Sequence, residues 1–260
     1  MAARLKISSV GITDVGRKRQ NNEDNYLIND ELNLYIAADG MGGHAGGEFA
    51  SQIAVNTVEE VFLNLESDPD AMASMEPGML EQVTREKLEY AIRLAGRRIY
   101  EKALDEPEYR GMGTTALALY VFDDKAFISH VGDSRAYRFR DQHVEQLTED
   151  HSLVNEQIKA GLISPEHAKT HRLKNIITRS LGYQEDVDVD TRVDALRPGD
   201  IFVLCSDGLS NLVEEADMAQ ILGRYRLQEA GMKLIELAND RGGDDNITAV
   251  LARVDEVTAQ

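Results

Sequence analysis

Short apolar runs bounded by polar residues dominate the first part of the chain. LKISSVGIT (Leu5–Thr13), NYLIN (Asn25–Asn29) and LNLYIAA (Leu32–Ala38) each predict a strand. The period then changes. Phe49, Ile53, Val58, Val61, Phe62 and Leu65 recur at roughly helical spacing and predict a helix from about Glu48 to Leu65. The segment SDPDAMASMEPG, with Pro69 and Pro77, breaks it. A second helix is expected from Met79 to Leu104, with Val83, Leu88, Ile92, Ala95 and Ile99 toward the core. From Gly113 to Leu147 the runs TTALALYVF, KAFISHV, SRAYRFR and HVEQL alternate with turn residues and predict an antiparallel meander. Glu149 to Gly182 is polar, carries His151, His167 and His171, and offers one helical piece near Leu153–Ala160; it reads as an excursion from the sheet. Strands resume at VDVDTRV and IFVLCS. Helices follow near Glu214–Leu222 and Gly231–Asn239, and NITAVLARV (Asn246–Val254) is the last strand. Strands, two long helices, more strands and late helices imply a layered α+β architecture. No composition break divides the chain, so residues 1–260 are expected to form one domain.

The formal net charge of −18 narrows the function. It argues against a protein that coats nucleic acid, which would show a basic stripe, and against attachment to an anionic membrane. No apolar stretch approaches a transmembrane span, and MAARLKISSV lacks the apolar core of a signal peptide. Cys205 is the only cysteine, so no internal disulfide forms and a cytoplasmic location is expected.

Candidate chemistry lies at the strand ends. LYIAA ends at Asp39-Gly40, IFVLCS at Asp207-Gly208, and AFISHV runs into Gly132-Asp133. GGDDN places Asp244 and Asp245 before the last strand. One Asp-Gly is as well explained by a turn. Four strand ends that can meet at one sheet edge suggest more. Clustered carboxylates repel and call for a cation. Oxygen ligands without cysteine and with little histidine suit Mg²⁺ or Mn²⁺ rather than Zn²⁺. Glycine after the acid lets the backbone turn sharply and leaves a carbonyl available as a ligand.

At this point the chain resembles the bacterial PPM (PP2C-type) metal-dependent Ser/Thr protein phosphatase family. The resemblance is carried by RQNNEDNY (Arg19–Tyr26), ADGMGGHAGGE (Ala38–Glu48), GMGTTALA (Gly111–Ala118), VGDSRAYR (Val131–Arg138), LTEDHSLV (Leu147–Val154), ITRSLG (Ile177–Gly182), LCSDGLS (Leu204–Ser210) and GGDDNIT (Gly242–Thr248). It implies a four-layer α/β/β/α sandwich, two antiparallel sheets flanked by helices, with a flap at about 149–182. It implies two or three Mn²⁺ or Mg²⁺ ions in a cleft at one edge. Carried over by position, Asp39 bridges two metals, Asp207 and Asp245 complete one, and the Gly40 carbonyl serves the other. Glu23 stands near that second metal, and Asp133 with Asp207 holds a third. Arg19 grips the phosphate, Asp24 supports the site, and Asn246 backs Asp245. The implied reaction is hydrolysis of phosphoserine and phosphothreonine by a metal-activated water, without a phosphoenzyme. Phosphorylated proteins are the implied partners, a Ser/Thr kinase and its substrates among them. A monomer is expected, with no nucleic-acid partner and no membrane insertion.

Arg19 sits in a basic cluster with Arg17 and Lys18, and the residues alone are even between a solvated cluster and a phosphate ligand; the RxxNED match favours the ligand. Some family members carry a histidine acid directly after the Asp-Gly; Met41 stands here. His44 is nearby, but a loop histidine bonded to backbone is the better account, and a metal-bound water could protonate the leaving group instead. Arg179 fits substrate contact and a salt bridge within the flap equally. GMGGHA, with Glu59 or Glu60 as ribose partner, matches a loose dinucleotide fingerprint, but a second helix follows where a parallel strand is needed. Cys205 lacks the phosphate-binding arginine of a thiol phosphatase, since Asn211 occupies that position; it reads as a buried apolar residue. A regulatory module on a dead phosphatase fold would have lost metal acids, and Asp39, Asp207 and Asp245 are all present.

Overall fold

In this computed structural model, which describes residues 4–42, 46–64, 76–169 and 171–257, strand β3 (Leu34–Met41) shows how the layers arise. Successive side chains of a strand point to opposite faces. Leu34, Ile36 and Ala38 pack with helices α1 (Gly46–Asn64) and α2 (Pro77–Asp105), against residues such as Val58, Phe62, Leu88 and Ile92. Tyr35 and Ala37 point the other way, into a core shared with Phe202, Leu204, Val250 and Ala252. The next inward position is Asp39, where the apolar row ends.

The sheet containing β3 orders its strands β2 (Asp24–Asn29), β3, β5 (Ala116–Phe122), β6 (Lys125–Val131) and β9 (Asp190–Ala195), with β4 (Gly113–Thr114) beside β3. The second sheet runs β1 (Arg4–Asp14), β11 (Ile247–Val257), β10 (Ile201–Cys205), β7 (Arg135–Arg140) and β8 (His143–Gln146). The strand pairings are antiparallel. The outer face of the second sheet packs on α5 (Asp207–Ser210), α6 (Glu215–Arg224) and α7 (Leu227–Asp240), where Val203, Cys205 and Leu251 meet Met218, Leu222 and Leu234. The four-layer sandwich expected from the sequence is present.

Several boundaries differ, for physical reasons. The run from Gly113 to Leu147 is not one meander. β5 and β6 belong to one sheet and β7 and β8 to the other, so the chain crosses between sheets at Gly132-Asp133-Ser134. Alternation within each strand is the same for both arrangements, so the pattern could not separate them. The segment 149–182 holds two short helices, α3 (Leu153–Lys159) and α4 (Pro165–Lys169), rather than one. β9 begins at Asp190, three residues after the apolar alternation does, because pairing with β6 starts at His130 opposite Asp190.

The two ends of the inter-sheet layer differ in charge. At the end remote from Asp39, buried Asp200 takes both oxygens to Arg140 at 2.6 Å. Arg138 bonds Asp194 at 3.0 Å and Glu145 at 2.6 Å. There opposite charges close the sandwich. Cys205 lies inside β10, fully buried, and its Sγ is 3.6 Å from the Arg135 carbonyl. Burial pushes its thiol up to about 12, which leaves it un-ionised and unreactive. Cys205→Ser should therefore keep full turnover while losing roughly 1–2 kcal/mol of stability to the buried hydroxyl. Urea melts and an esterase-type assay on the same preparation check both halves; loss of turnover in folded protein would restore a thiol mechanism.

Candidate metal centre

Five acids reach the open end of the sandwich from five separate segments. The β2–β3 register places Asp24 directly opposite Asp39, and both continue inward rows. Asp133 lies on the crossing between sheets, Asp207 opens α5, and Asp245 sits just before β11. The backbone around them is tightly bonded. The Asp39 N–H donates to Thr115 Oγ1 at 2.9 Å, and its carbonyl accepts from the Thr115 N–H and Thr114 Oγ1, each at 2.9 Å. Thr115 Oγ1 also meets Ser134 Oγ at 2.7 Å, which joins β3 to the Asp133 crossing. Ser206 Oγ donates to Asp24 Oδ2 at 2.7 Å and accepts from the Thr248 N–H at 3.0 Å.

Asn246 ties a loop to this frame. Its Oδ1 accepts from the Glu23 N–H at 2.8 Å, and its Nδ2 donates to the carbonyls of Val15 and Asn21 at 3.0 and 2.9 Å. Glu23 is held again where Ser51 Oγ donates to its carbonyl at 2.6 Å. Its carboxylate accepts from the Gly47 N–H at the start of α1, where the helix dipole favours negative charge.

The glycines after the acids serve close packing rather than the sharp turn that the sequence suggested. β3 continues through Gly40 to Met41, and the positive φ falls on Gly42, at +147°. A Cβ on Gly40 would stand 2.1 Å from the Gly47 carbonyl oxygen and 2.4 Å from that of Glu23. Asp207 starts a helix, not a turn, and a Cβ on Gly208 would stand 2.0 Å from the Asn246 carbonyl oxygen.

Burial and neighbouring charge raise the pKa values of Asp24, Asp39, Asp133 and Asp207. Asp39 is pushed well above the carboxylate range by burial and by Asp24, Asp207, Asp133 and Asp245. Asp24 and Asp207 move up too, burial first. Asp133, 8% exposed, is pushed up to about 7 by burial, then by Asp207 and Asp150. Asp24 Oδ1 and Asp133 Oδ1 are buried with no protein hydrogen-bond partner. Orphaned carboxylate oxygens amid repelling acids fit hard divalent cations, which supply both missing charge and missing partners.

Arg19 stands beside the cluster, half exposed, with Nη2 2.7 Å from Asp245 Oδ2. Arg179 is not in a bridge internal to the flap. It spans from the flap to β9, 2.7 Å from Asp190 Oδ1, and also donates to the Asp188 carbonyl at 3.2 Å. His44 lies outside the described residues. Asp24 is more central than its sequence reading as a supporting residue implied. Lys174, which sequence analysis did not single out, lines a cavity of about 630 Å³ together with Asp133 and Asp207, and its charge opposes the rise at Asp207. Its only sequence signal was a cation inside a polar excursion.

A helix-flanked double sheet whose open end gathers acids beside Arg19 suits cations and a phosphoryl group. The sequence profile of the protein phosphatase 2C family matches residues 15–251, and the chain belongs to that family. It is 38% identical over 253 residues to protein phosphatase PhpP of Streptococcus pneumoniae, across 96% of this chain and 98% of that protein. The Streptococcus agalactiae serine/threonine phosphatase structure superposes with a TM-score of 0.84 at 38% identity, covering 96% of this chain and all of that one (100%). The catalytic domain of the serine/threonine protein phosphatase PstP, described in complex with two manganese ions, has a TM-score of 0.80 at 34% identity, covering 97% of this chain and 100% of that one.

A raised folded-state pKa means that the native protein binds more protons than the unfolded chain between about pH 4 and 7, so ionised Asp133 opposes folding as pH rises through that window. In chelator-treated protein at pH 7.5, Asp133→Asn should thus raise stability by roughly 1–3 kcal/mol. The gain should shrink as pH falls toward about 5. Thermal melts across this range test the sign; destabilisation at pH 7.5 would contradict it.

Proposed function

We propose that the protein hydrolyses phosphoserine and phosphothreonine esters in proteins, with two or three Mn²⁺ or Mg²⁺ ions held in this cleft. The observation that carries the reading is the convergence of Asp24, Asp39, Asp133, Asp207 and Asp245, with orphaned oxygens, in a chain of the protein phosphatase 2C family. The relatives' own names, and the manganese described for one of them, point the same way.

Asp39, at the centre of the cluster, would hold the ions together with Asp207 and Asp245; Asp133 with Asp207 would hold a further ion, and Glu23 and the Gly40 carbonyl would serve the remaining side. Bound there, divalent ions would supply Lewis-acid charge and lower the pKa of a coordinated water. The protein's part is to hold the phosphoester in line. Arg19 spends one nitrogen on Asp245, which fixes its guanidinium at the mouth of the cleft and leaves further donors for the phosphoryl oxygens. Its charge offsets that of the transferring group. Lys174 adds a cation on the flap side. The buried frame of Thr114, Thr115, Ser134 and Ser206 keeps the acids from relaxing apart. Residues 1–260 act as one domain, with 149–182 as its flap. No helix among the described residues is long and apolar enough to cross a membrane. The setting proposed, on the relatives' names, is a cytoplasmic monomer that reverses Ser/Thr kinase signalling.

Metal-stripped protein should hydrolyse a phosphothreonine peptide only after Mn²⁺ is added back, and Asp39→Ala should stay inactive under both conditions while melting cooperatively. Wild-type turnover in that variant would remove Asp39 from the site. Full metal occupancy without hydrolysis would instead favour a binding module. Arg19→Ala should raise KM about tenfold or more with a smaller change in kcat, since a ground-state phosphate contact is lost. Steady-state kinetics on the same peptide measure this, and an unchanged KM returns Arg19 to the surface cluster.

A further inference from the structure

Beside the acid cluster, His130, His151 and Asp190 bring ligand atoms within 4.8 Å of one another, a spacing that would suit another metal. Hydrogen bonding rules against that use. The Gly132 N–H donates to His151 Nδ1 at 3.0 Å, so the ring is neutral and its proton is on Nε2. That proton faces Asp190 Oδ2 at 3.3 Å. Arg179 Nη1 stands 3.1 Å from the same Nε2 and 2.7 Å from Asp190 Oδ1, so a guanidinium already fills the place of a cation. His130 donates through Nε2 to the Glu149 carbonyl at 2.8 Å and stacks on His151, with ring centroids 4.7 Å apart.

His151 grips the backbone at Gly132 twice. Its ring accepts the Gly132 N–H, and its own N–H donates to the Gly132 carbonyl at 3.0 Å. Gly132 has φ +109°, and a Cβ there would stand 2.5 Å from Thr115 Cγ2, so the crossing is confined on both sides. The next residue is Asp133, whose Oδ1 is buried without a protein partner. The carboxylate is bonded to the N–H of its own residue, in the peptide that begins at Gly132.

We infer that His151 is the positioning residue for Asp133: it fixes the direction of that carboxylate by clamping Gly132, and Asp190, itself held by Arg179, keeps it in the tautomer that can do so. The inference rests on Asp133 being a metal ligand. The tautomer is the essential part. A ring protonated at Nδ1 would oppose the Gly132 N–H, and the clamp would release. Because Arg179 and His151 both belong to the flap segment, the attachment of the flap and the aim of Asp133 are one arrangement.

The two ring nitrogens can be tested apart. In His151→Asn the amide oxygen can stand near Nδ1 and accept from Gly132. In His151→Gln the amide nitrogen can stand near Nε2 and reach Asp190, but the Gly132 acceptor is lost. Calorimetric titration of Mn²⁺ into chelator-treated protein, without substrate, reads the result. Asp133→Ala defines which binding step depends on that acid. His151→Gln should weaken that step about 10–100-fold, the usual cost of losing a partner that orients a ligand, and His151→Asn by less than about threefold. Asp190→Ala, at a side chain 49% exposed and so safe for folding, should weaken the same step several-fold and decides the matter if the buried variants do not fold. A wild-type isotherm in His151→Gln or Asp190→Ala, where Asp133→Ala loses the step, overturns the inference. Equal losses in His151→Asn and His151→Gln overturn it as well, by reducing His151 to packing. An unchanged isotherm in Asp133→Ala removes the metal reading of Asp133 itself, and the inference with it.

Discussion

Repulsion among carboxylates gathered where two sheets part is the constraint around which this molecule is arranged. Asp24, Asp39, Asp133 and Asp207 all have pKa values above their ordinary range, with burial as the first cause and neighbouring carboxylates raising them further. Left to themselves, such groups would spread apart or draw in water. They stay together because each is anchored through its backbone or a hydroxyl, not through its carboxylate alone. Thr114, Thr115, Ser134, Ser206 and Asn246 bond to peptides or to one another, so the scaffold holds the acids without neutralising them. Orphaned oxygens at Asp24 and Asp133 are what remains. A fold that wanted only stability would not leave them so.

The rest of the sandwich supplies the free energy to hold that arrangement. Fully burying a Leu, Val, Ile or Phe side chain contributes about 1.5–3 kcal/mol, and three apolar cores flank and separate the sheets. The remote end of the inter-sheet layer shows the alternative use of buried charge. Arg140 with Asp200, and Arg138 with Asp194 and Glu145, set opposite charges against one another. The same layer thus ends in matched charge on one side and in like charge on the other. That asymmetry marks the working end, because among the described residues it is where buried carboxylate oxygens are left without a protein partner.

Much of this was legible in the sequence, and the gaps have causes. Alternation in LNLYIAA placed Asp39 at the end of an inward row, and the strand-end positions of Asp133, Asp207 and Asp245 all held. The split of β5–β6 from β7–β8 was hidden, because period-two alternation does not say which sheet a strand joins. Gly40 and Gly208 were read as turn formers, when their need is contact with the Gly47, Glu23 and Asn246 carbonyls, which lie far off in sequence. Asp24 was underrated for a similar reason: its importance comes from standing opposite Asp39 across a strand pair. Arg179 and Lys174 were illegible as partners because they sit in a segment with little periodicity, whose place is set by contacts to β9 and to the cleft.

The flap is attached at both of its ends beside the acids. At its start, His151 holds Gly132 next to Asp133. At its close, Leu181 exchanges two backbone hydrogen bonds with Thr114, at 2.9 and 3.2 Å, and Thr114 Oγ1 in turn donates to the Asp39 carbonyl. Inside the segment, the Thr178 N–H returns to the His151 carbonyl at 2.9 Å, which joins the two attachments to each other. A load placed on the flap by a bound polypeptide therefore reaches Asp133 and Asp39 through short chains of backbone bonds, with few soft torsions between. Any ligand that favours one flap arrangement over another must, by linkage, favour one arrangement of those two acids. On the proposed function, substrate bearing on this segment would be coupled to the geometry of the acid cluster through the residues that pin it to the sheets.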